Sequence, residues 1–300
     1  MMRILLCISF TIVLFSGQAQ QSFFQHADSL NKGRLIGVST GVGLVWGGSM
    51  IGLWQFWYKN AEQTGWHSFD DSKNWLQMDK VGHFYTAYKL NQLNTDLFRW
   101  TGLDDRKSLW IGTGVSFGYQ ATLEILDAQT KEWGFSWSDM LANTVGTLGY
   151  MGQQLAWGEE RIIPKFSFAP TEFSEVRPNV LGGAWYESLL KDYNGQTYWL
   201  SFSPGTFLKD SKYPEWLCFS VGYSAHEKLV GSEEYYLDEA TGREYFSQRE
   251  FLFSMDIDFS RIPVKKPWLK MLLKQLNYLK MPFPALLIRD GKLMGSWTGY

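Results

Sequence analysis

Three textures of apolar and polar positions divide the chain. Leu35 to Tyr58 runs 24 residues without a charge, which is enough helix to cross a hydrocarbon core of roughly 30 Å. Its glycines at 37, 41, 43, 47, 48 and 52 give the four-residue spacings that let helix backbones approach closely, and Trp54, Phe56, Trp57 and Tyr58 close it as an aromatic belt. A polar, aromatic loop over 59–78 follows, and then helical periodicity returns in three segments: about Asp79 to Trp100, Ser108 to about Asp127, and about Ser138 to Trp157. Glycines 112, 114 and 118, then 146, 149 and 152, repeat the small-residue pattern in the last two. These features predict a Gly-rich, membrane-associated four-helix unit over 20–158, with the Asp79 helix as its most polar member. A bundle resting on a membrane surface is the alternative to full insertion, because Glu124 and several amides interrupt the later helices.

From about residue 159 the period changes. Pro164, Pro170 and Pro178 break helices, and short aromatic runs then alternate with polar positions at Tyr198 to Phe202, Trp216 to Ser224 and Glu250 to Phe259. In the last run positions 251, 253, 255, 257 and 259 are apolar while Ser254, Asp256 and Asp258 are polar, as in a strand with one greasy face. Pro267 to Lys280 reads instead as an amphipathic helix, and Asp290-Gly291 as the turn of a closing hairpin. About five strands fall short of the roughly eight that a closed single-chain barrel needs. The expected class is therefore α+β: the helical unit, then a small aromatic-rich antiparallel β region over 159–300 carrying one amphipathic helix.

Composition sharpens the location. Aromatic residues reach 17%, with 15 Trp, 15 Tyr and 21 Phe, an excess that membrane-interface belts accommodate. With 28 basic and 30 acidic side chains and no basic stripe, the chain offers nothing to follow a phosphate backbone, so nucleic acid is not an expected partner. Residues 1–19 read as a signal peptide, with Arg3 before an apolar run and Gly17 and Ala19 at the cleavage spacing. No cysteine follows the small residues, so no lipid anchor is expected, and Cys218 alone remains in the mature chain, which rules out an intrachain disulfide. The expected place is the cell envelope, at the outer membrane or its periplasmic face rather than the inner membrane.

Candidate chemistry gathers in the helical unit. Asp79 and His83 are i and i+4 on one helix face with Lys80 beside them; Gln120, Glu124 and Asp127 line the next helix; Ser136, Asp139, Asn143 and Gly146 recur at the start of the fourth. Singly, Asp79 fits a helix N-terminus and Ser136 with Asp139 fits a capping box, and a lone His is more often a satisfied buried side chain than a ligand. Converging, they would form a polar centre, where an unpaired ionisable group at membrane depth costs about 3 kcal/mol or more. Asp79, His83, Glu124 and Asp139 supply the oxygen and nitrogen donors that a divalent metal, the one cofactor this set suggests, would take. No catalytic Ser signature, HExxH or phosphate-cradling glycine loop names an enzyme.

The ordered pattern Asp79-Lys80-x-x-His83-Phe84, Glu124 with Asp127, and Ser136-x-x-Asp139-x-x-x-Asn143-x-x-Gly146 resembles the YfiM-like family of bacterial envelope proteins and, more distantly, the VanZ-like membrane proteins. The likeness covers roughly residues 79 to 150. It departs from the VanZ-like pattern at Asp127 and at Trp133 and Phe135, where that family would place a Gln and an Arg, and from the YfiM-like one in its missing lipobox. The resemblance implies an envelope protein and supplies no reaction. Two functions follow as expectations. One is a non-catalytic membrane scaffold or lipid-binding module, its polar network locking helix faces and its β region meeting another envelope protein. The other is a metal- or acid/base-dependent envelope hydrolase or transferase acting on a lipid or cell-wall substrate.

Overall fold

The computed structural model describes residues 23–59, 61–208 and 212–299; the expected signal sequence lies outside them. Helix α1 (Lys32–Leu53) opens from the Asn31 cap and buries none of its side chains. It is one described helix long and apolar enough to cross a membrane. Helices α2 (Met78–Trp100), α3 (Asp105–Asp127) and α4 (Trp137–Trp157) form the compact unit, with α2 between the other two. Ser136 caps α4 through the Asp139 amide, the expected capping role, and Asp104 likewise caps α3 through the Lys107 amide.

Glycine explains which helices touch. A Cβ on Gly112 would stand 2.3 Å from Thr95 Oγ1, and one on Gly146 2.2 Å from the Phe84 carbonyl oxygen, so α3 and α4 press their backbones onto α2 only because these positions have no side chain. Six of the seven glycines of α1, at 37, 41, 43, 47, 48 and 52, meet nothing within 4 Å. The four-helix expectation thus reduces to three tightly packed helices with α1 leaning on them, chiefly through Trp46 against Gly118 and Tyr119. Tyr58 also departs from the expected belt: it turns inward and donates to Asp127 Oδ1 at 2.6 Å.

The C-terminal half is a six-stranded antiparallel sheet in the order β1 (Ile162–Phe168), β2 (Gln196–Phe202), β3 (Leu217–His226), β6 (Gln248–Ile257), β7 (Ala285–Arg289), β8 (Lys292–Ser296), beside a two-stranded ribbon of β4 (Tyr235–Leu237) and β5 (Glu244–Phe246). Strand β1 and the ribbon exceed the strands read from sequence. Helix α5 (Pro267–Leu276) occupies the expected amphipathic segment, and Asp290-Gly291 turns β7 into β8 with positive φ at both residues.

The sheet's outward face is largely apolar, while its inward face mixes the Trp199, Leu252 and Ala285 cluster with buried polar groups. Cross-strand rows on one face read Pro164, Leu200, Val221, Phe253, Leu286 and Ile162, Phe202, Phe219, Met255, while a row on the other face reads Ser201, Ser220, Ser254. The apolar rows are largely exposed, whereas the serines and the Lys165–Asp256 ion pair, 2.8 Å and 0% exposed at both partners, are buried against residues 277–281. Period two correctly signals a greasy face; it does not say that this face is the outward one. Among the described residues the apolar face is covered near the bundle, where Tyr85 of α2 packs on Phe166 and Tyr198, and at Phe219, on which Tyr213 stacks.

Candidate functional site

The site forms where α2 and α4 begin and α3 ends. Asp79, Lys80 and His83 occupy the first turns of α2, Gln120, Glu124 and Asp127 the last turns of α3, and Ser136, Asp139 and Asn143 the start of α4. The Phe84–Gly146 approach fixes this meeting, since Phe84 follows His83 and Asn143 lies three residues before Gly146.

Lys80 is the resident cation, with Nζ 2.6 Å from Asp71, 3.0 Å from Asp79 and 2.8 Å from Asp139. Its burial works against the charge, but Asp79 and Asp139 outweigh it and hold the ammonium above an ordinary lysine. His83 Nδ1 lies 3.1 Å from Asn143 Oδ1, and Gln120 Nε2 donates to that same oxygen at 2.8 Å, which orients the amide. Nδ1–H therefore donates to Asn143 and Nε2 faces Asp79 Oδ1 at 3.6 Å. Burial opposes protonation of His83, but Asp79, Asp139 and Glu124 together raise its pKa.

The carboxylates outnumber their cations. Asp71, Asp79, Glu124, Asp127 and Asp139 share Lys80 and His83. Burial, with neighbouring Asp139 adding to it, pushes Glu124 up to about 8; burial pushes Asp127 up to about 6 against the Tyr58 hydrogen bond. Burial and then Asp79 raise Asp139. Asp71 goes the other way: its burial is outweighed by bonds from Lys80 and Ser136. Glu124 is 1% exposed; among the described residues its Oε1 has no hydrogen-bond partner, and His83 Nδ1 lies 3.7 Å from it.

These groups wall a polar cleft of about 490 Å³ lined by Asp71, Asp79, His83, Asp127, Asp139 and Tyr193. One donor atom each from Asp79, His83 and Asp139 lies within 4.8 Å of the others. A divalent ion bonded at roughly 2.0–2.2 Å needs donor separations no greater than about 4.2 Å, so the triad would close by a few tenths of an ångström. The donor set fits such an ion: a His whose second nitrogen is anchored by an amide, two carboxylates, and excess negative charge around them.

Every sequence candidate reaches this region, with Asp127 tied to Tyr58 at its edge. Sequence reading missed Asp71, which accepts from Ser136 Oγ at 2.6 Å and Ser138 Oγ at 2.8 Å, and Tyr193, which donates to Asp79 Oδ1 at 3.1 Å. The Asp70-Asp71 pair in the loop was visible, but nothing in its spacing pointed at α4, and Tyr193 comes from the other half of the chain.

A family model described as "Predicted periplasmic lipoprotein (DUF2279)" matches residues 63–152, the loop and helices that build this site. The match supports an exported envelope protein; it spans the segment that resembles the YfiM-like and VanZ-like families without bearing on either likeness. Searches of curated proteins and of solved structures give no match.

Proposed function

We propose that the chain is a membrane-anchored envelope protein whose Asp79, His83 and Asp139 hold a divalent cation, in a hydrolase or transferase acting on a lipid or cell-wall group at the membrane surface. The observation that carries this reading is that the three donors converge on the wall of an open polar cleft instead of being sealed inside the bundle. Helix α1 supplies the anchor, by its length and its lack of buried side chains. The bound cation would supply Lewis acidity toward a phosphoryl or acyl oxygen. The chain's own residues have separate tasks. Asn143 and Gln120 hold the imidazole, Tyr193 orients Asp79, and Lys80 keeps Asp71 charged and bonds Asp139.

The scaffold reading also has an observation in its favour: Lys80 already bonds Asp71, Asp79 and Asp139, as polar glue between helix ends would. Glue, however, does not call for an open site, whereas Asp79, His83 and Asp139 face the polar cleft and offer it converging donor atoms. The two separate on metal content. Native mass spectrometry and elemental analysis of the full chain, gently extracted, should find a bound divalent ion in the wild type and lose it in a still-folded His83→Ala or Asp139→Asn. Metal-free wild type that takes up neither Zn²⁺, Mn²⁺ nor Mg²⁺ on titration would sink the metal reading and leave the scaffold.

A further inference from the structure

On the far side of Lys80 from the cleft lies a second cavity, a groove of about 590 Å³ between the bundle and the sheet. Its helical wall is Phe84, Leu141 and Val145; its sheet wall is Leu200, Val221 and Phe251. Lys80 and Ser138 also line it, both bonded to Asp71. Val221 is shared with an apolar trough of about 660 Å³ running across the open sheet face past Phe253, Met255 and Leu286 to Trp297, which is 87% exposed. A continuous apolar track thus runs from the sheet's far edge to the charged cluster that the cleft uses from its other side.

We infer that this groove takes one acyl chain of an envelope glycerophospholipid, delivered along the open sheet face, with the lipid's polar end at the Lys80, Asp71 and Ser138 cluster. The inference rests on the proposed site function and names its substrate class. Three observations select a lipid over a protein. The tyrosines among the groove's walls already spend their hydroxyls inside the chain, Tyr85 on the Tyr278 carbonyl, Tyr198 on Gln196 and Tyr223 on the Leu76 carbonyl, so the surface left to a ligand is mostly carbon, whereas a protein interface of comparable area carries about one hydrogen bond per 100–200 Å² and a polar rim. The sheet buries its ion pair and serines on the opposite face, so its exposed rows are apolar by construction and not by accident of one or two residues. The polarity gradient along the groove, hydrocarbon walls ending in a cluster where Lys80 and Ser138 meet a surplus of carboxylates, matches that of a chain with a polar head that carries an ammonium, as phosphatidylethanolamine does. The cavity is also within the range of about 300–1,000 Å³ usual for small-molecule sites.

The test uses the full chain in mild detergent with added phosphatidylethanolamine, read by native mass spectrometry. Wild type should retain a single lipid adduct, and Ala142→Phe or Val145→Trp, which fill the groove from half-exposed positions on α4, should lower its retention at least tenfold. Leu155→Trp, elsewhere on the exposed surface of α4, should leave retention unchanged. His83→Ala should lose metal and keep the lipid, so failure of the groove and failure of the metal site appear in different channels. A photoactivatable acyl chain should crosslink to peptides containing Leu141 to Val145 and Leu200 or Val221. Equal retention in the filled variants, crosslinks confined to α1, or a co-purifying protein or second copy of the chain in place of lipid would each overturn the inference.

Discussion

Gly146→Ala and Gly152→Ala make the same chemical change six residues apart on α4 and should move stability in opposite directions. At Gly146 the new Cβ would lie 2.2 Å from the Phe84 carbonyl oxygen and 2.9 Å from its carbon, where ordinary contact begins near 3.4 Å. The obstruction is backbone, so it cannot rotate away; α2 and α4 must separate by about 1 Å, at the upper end of the roughly 1–3 kcal/mol that overpacking costs. At Gly152 a Cβ meets nothing within 4 Å, so only the helix-propensity gain of about 0.5–1 kcal/mol remains. Urea unfolding of the full chain at matched m-values should therefore separate the two variants by about 3–4 kcal/mol. The separation has a functional partner, because the same shift stretches the 3.1 Å His83–Asn143 contact beyond hydrogen bonding. Divalent-ion affinity should fall in Gly146→Ala and hold in Gly152→Ala. Equal midpoints for the two variants, or a destabilised Gly146→Ala with unaltered ion binding, would refute the link between glycine packing and the site.

Lys165→Met should destabilise the sheet by about 3–5 kcal/mol, because Asp256 stays buried with only Ser201, Met281 N–H and a Lys280 amine 4.0 Å away; a loss below about 1 kcal/mol in denaturant would contradict the buried pair. Ser136→Ala should cost about 1–2 kcal/mol through the α4 cap and the lost bond to Asp71, which keeps Lys80 and Ser138, whereas Ser136→Thr should recover most of it in thermal melts. His226 Nε2 lies 3.1 Å from the Arg289 guanidinium, which can only donate, so the folded state needs a neutral imidazole; burial first and Arg289 second lower it from 6.5 to about 4. Its contribution is present above pH 6.5 and lost as pH falls toward 4, because the unfolded state takes the proton first. After allowing for its partial exposure the loss is about 2 kcal/mol, and His226→Asn should flatten stability across that window.

The helices were legible because caps and periodicity are local: Asp104 starts α3 and Ser136 starts α4 by hydrogen bonds within three residues. The polar centre was legible for the same reason, since i and i+4 acids and imidazole mark helix faces before any packing is known. What was hidden is relational. Small-residue patterns pack in α3 and α4, at Gly112, Gly118 and Gly146, while the glycines at 37–52 of α1 are bare, because such a pattern permits close approach but does not provide a partner. Strand β1 was obscured by Pro164, yet proline is tolerated there because the strand lies at one end of the sheet order. Alternation in β6 showed two faces and could not rank them, since burial of Ser220 and Asp256 depends on the segment around Lys280 closing over them.

The connection between the two halves runs through the turn that precedes the site. Trp75, Leu76 and Gln77 have φ of 51°, 53° and 63°, three consecutive non-glycine residues in the left-handed region. Each costs about 1–2 kcal/mol relative to the right-handed form, so the turn would relax if it were free. It is held from the sheet side: the Gly231 carbonyl accepts the Trp75 amide at 2.8 Å, and Tyr223 and Arg249 both donate to the Leu76 carbonyl. Two residues later comes Asp79, bonded in turn by Tyr193 from the same half of the chain. The sheet therefore does more than expose an apolar face: it holds in place the backbone that aims Asp79 at His83. On this geometry Tyr223→Phe combined with Arg249→Ala should weaken ion binding at a site neither residue touches, while leaving the α2–α4 packing that Gly146 reports intact.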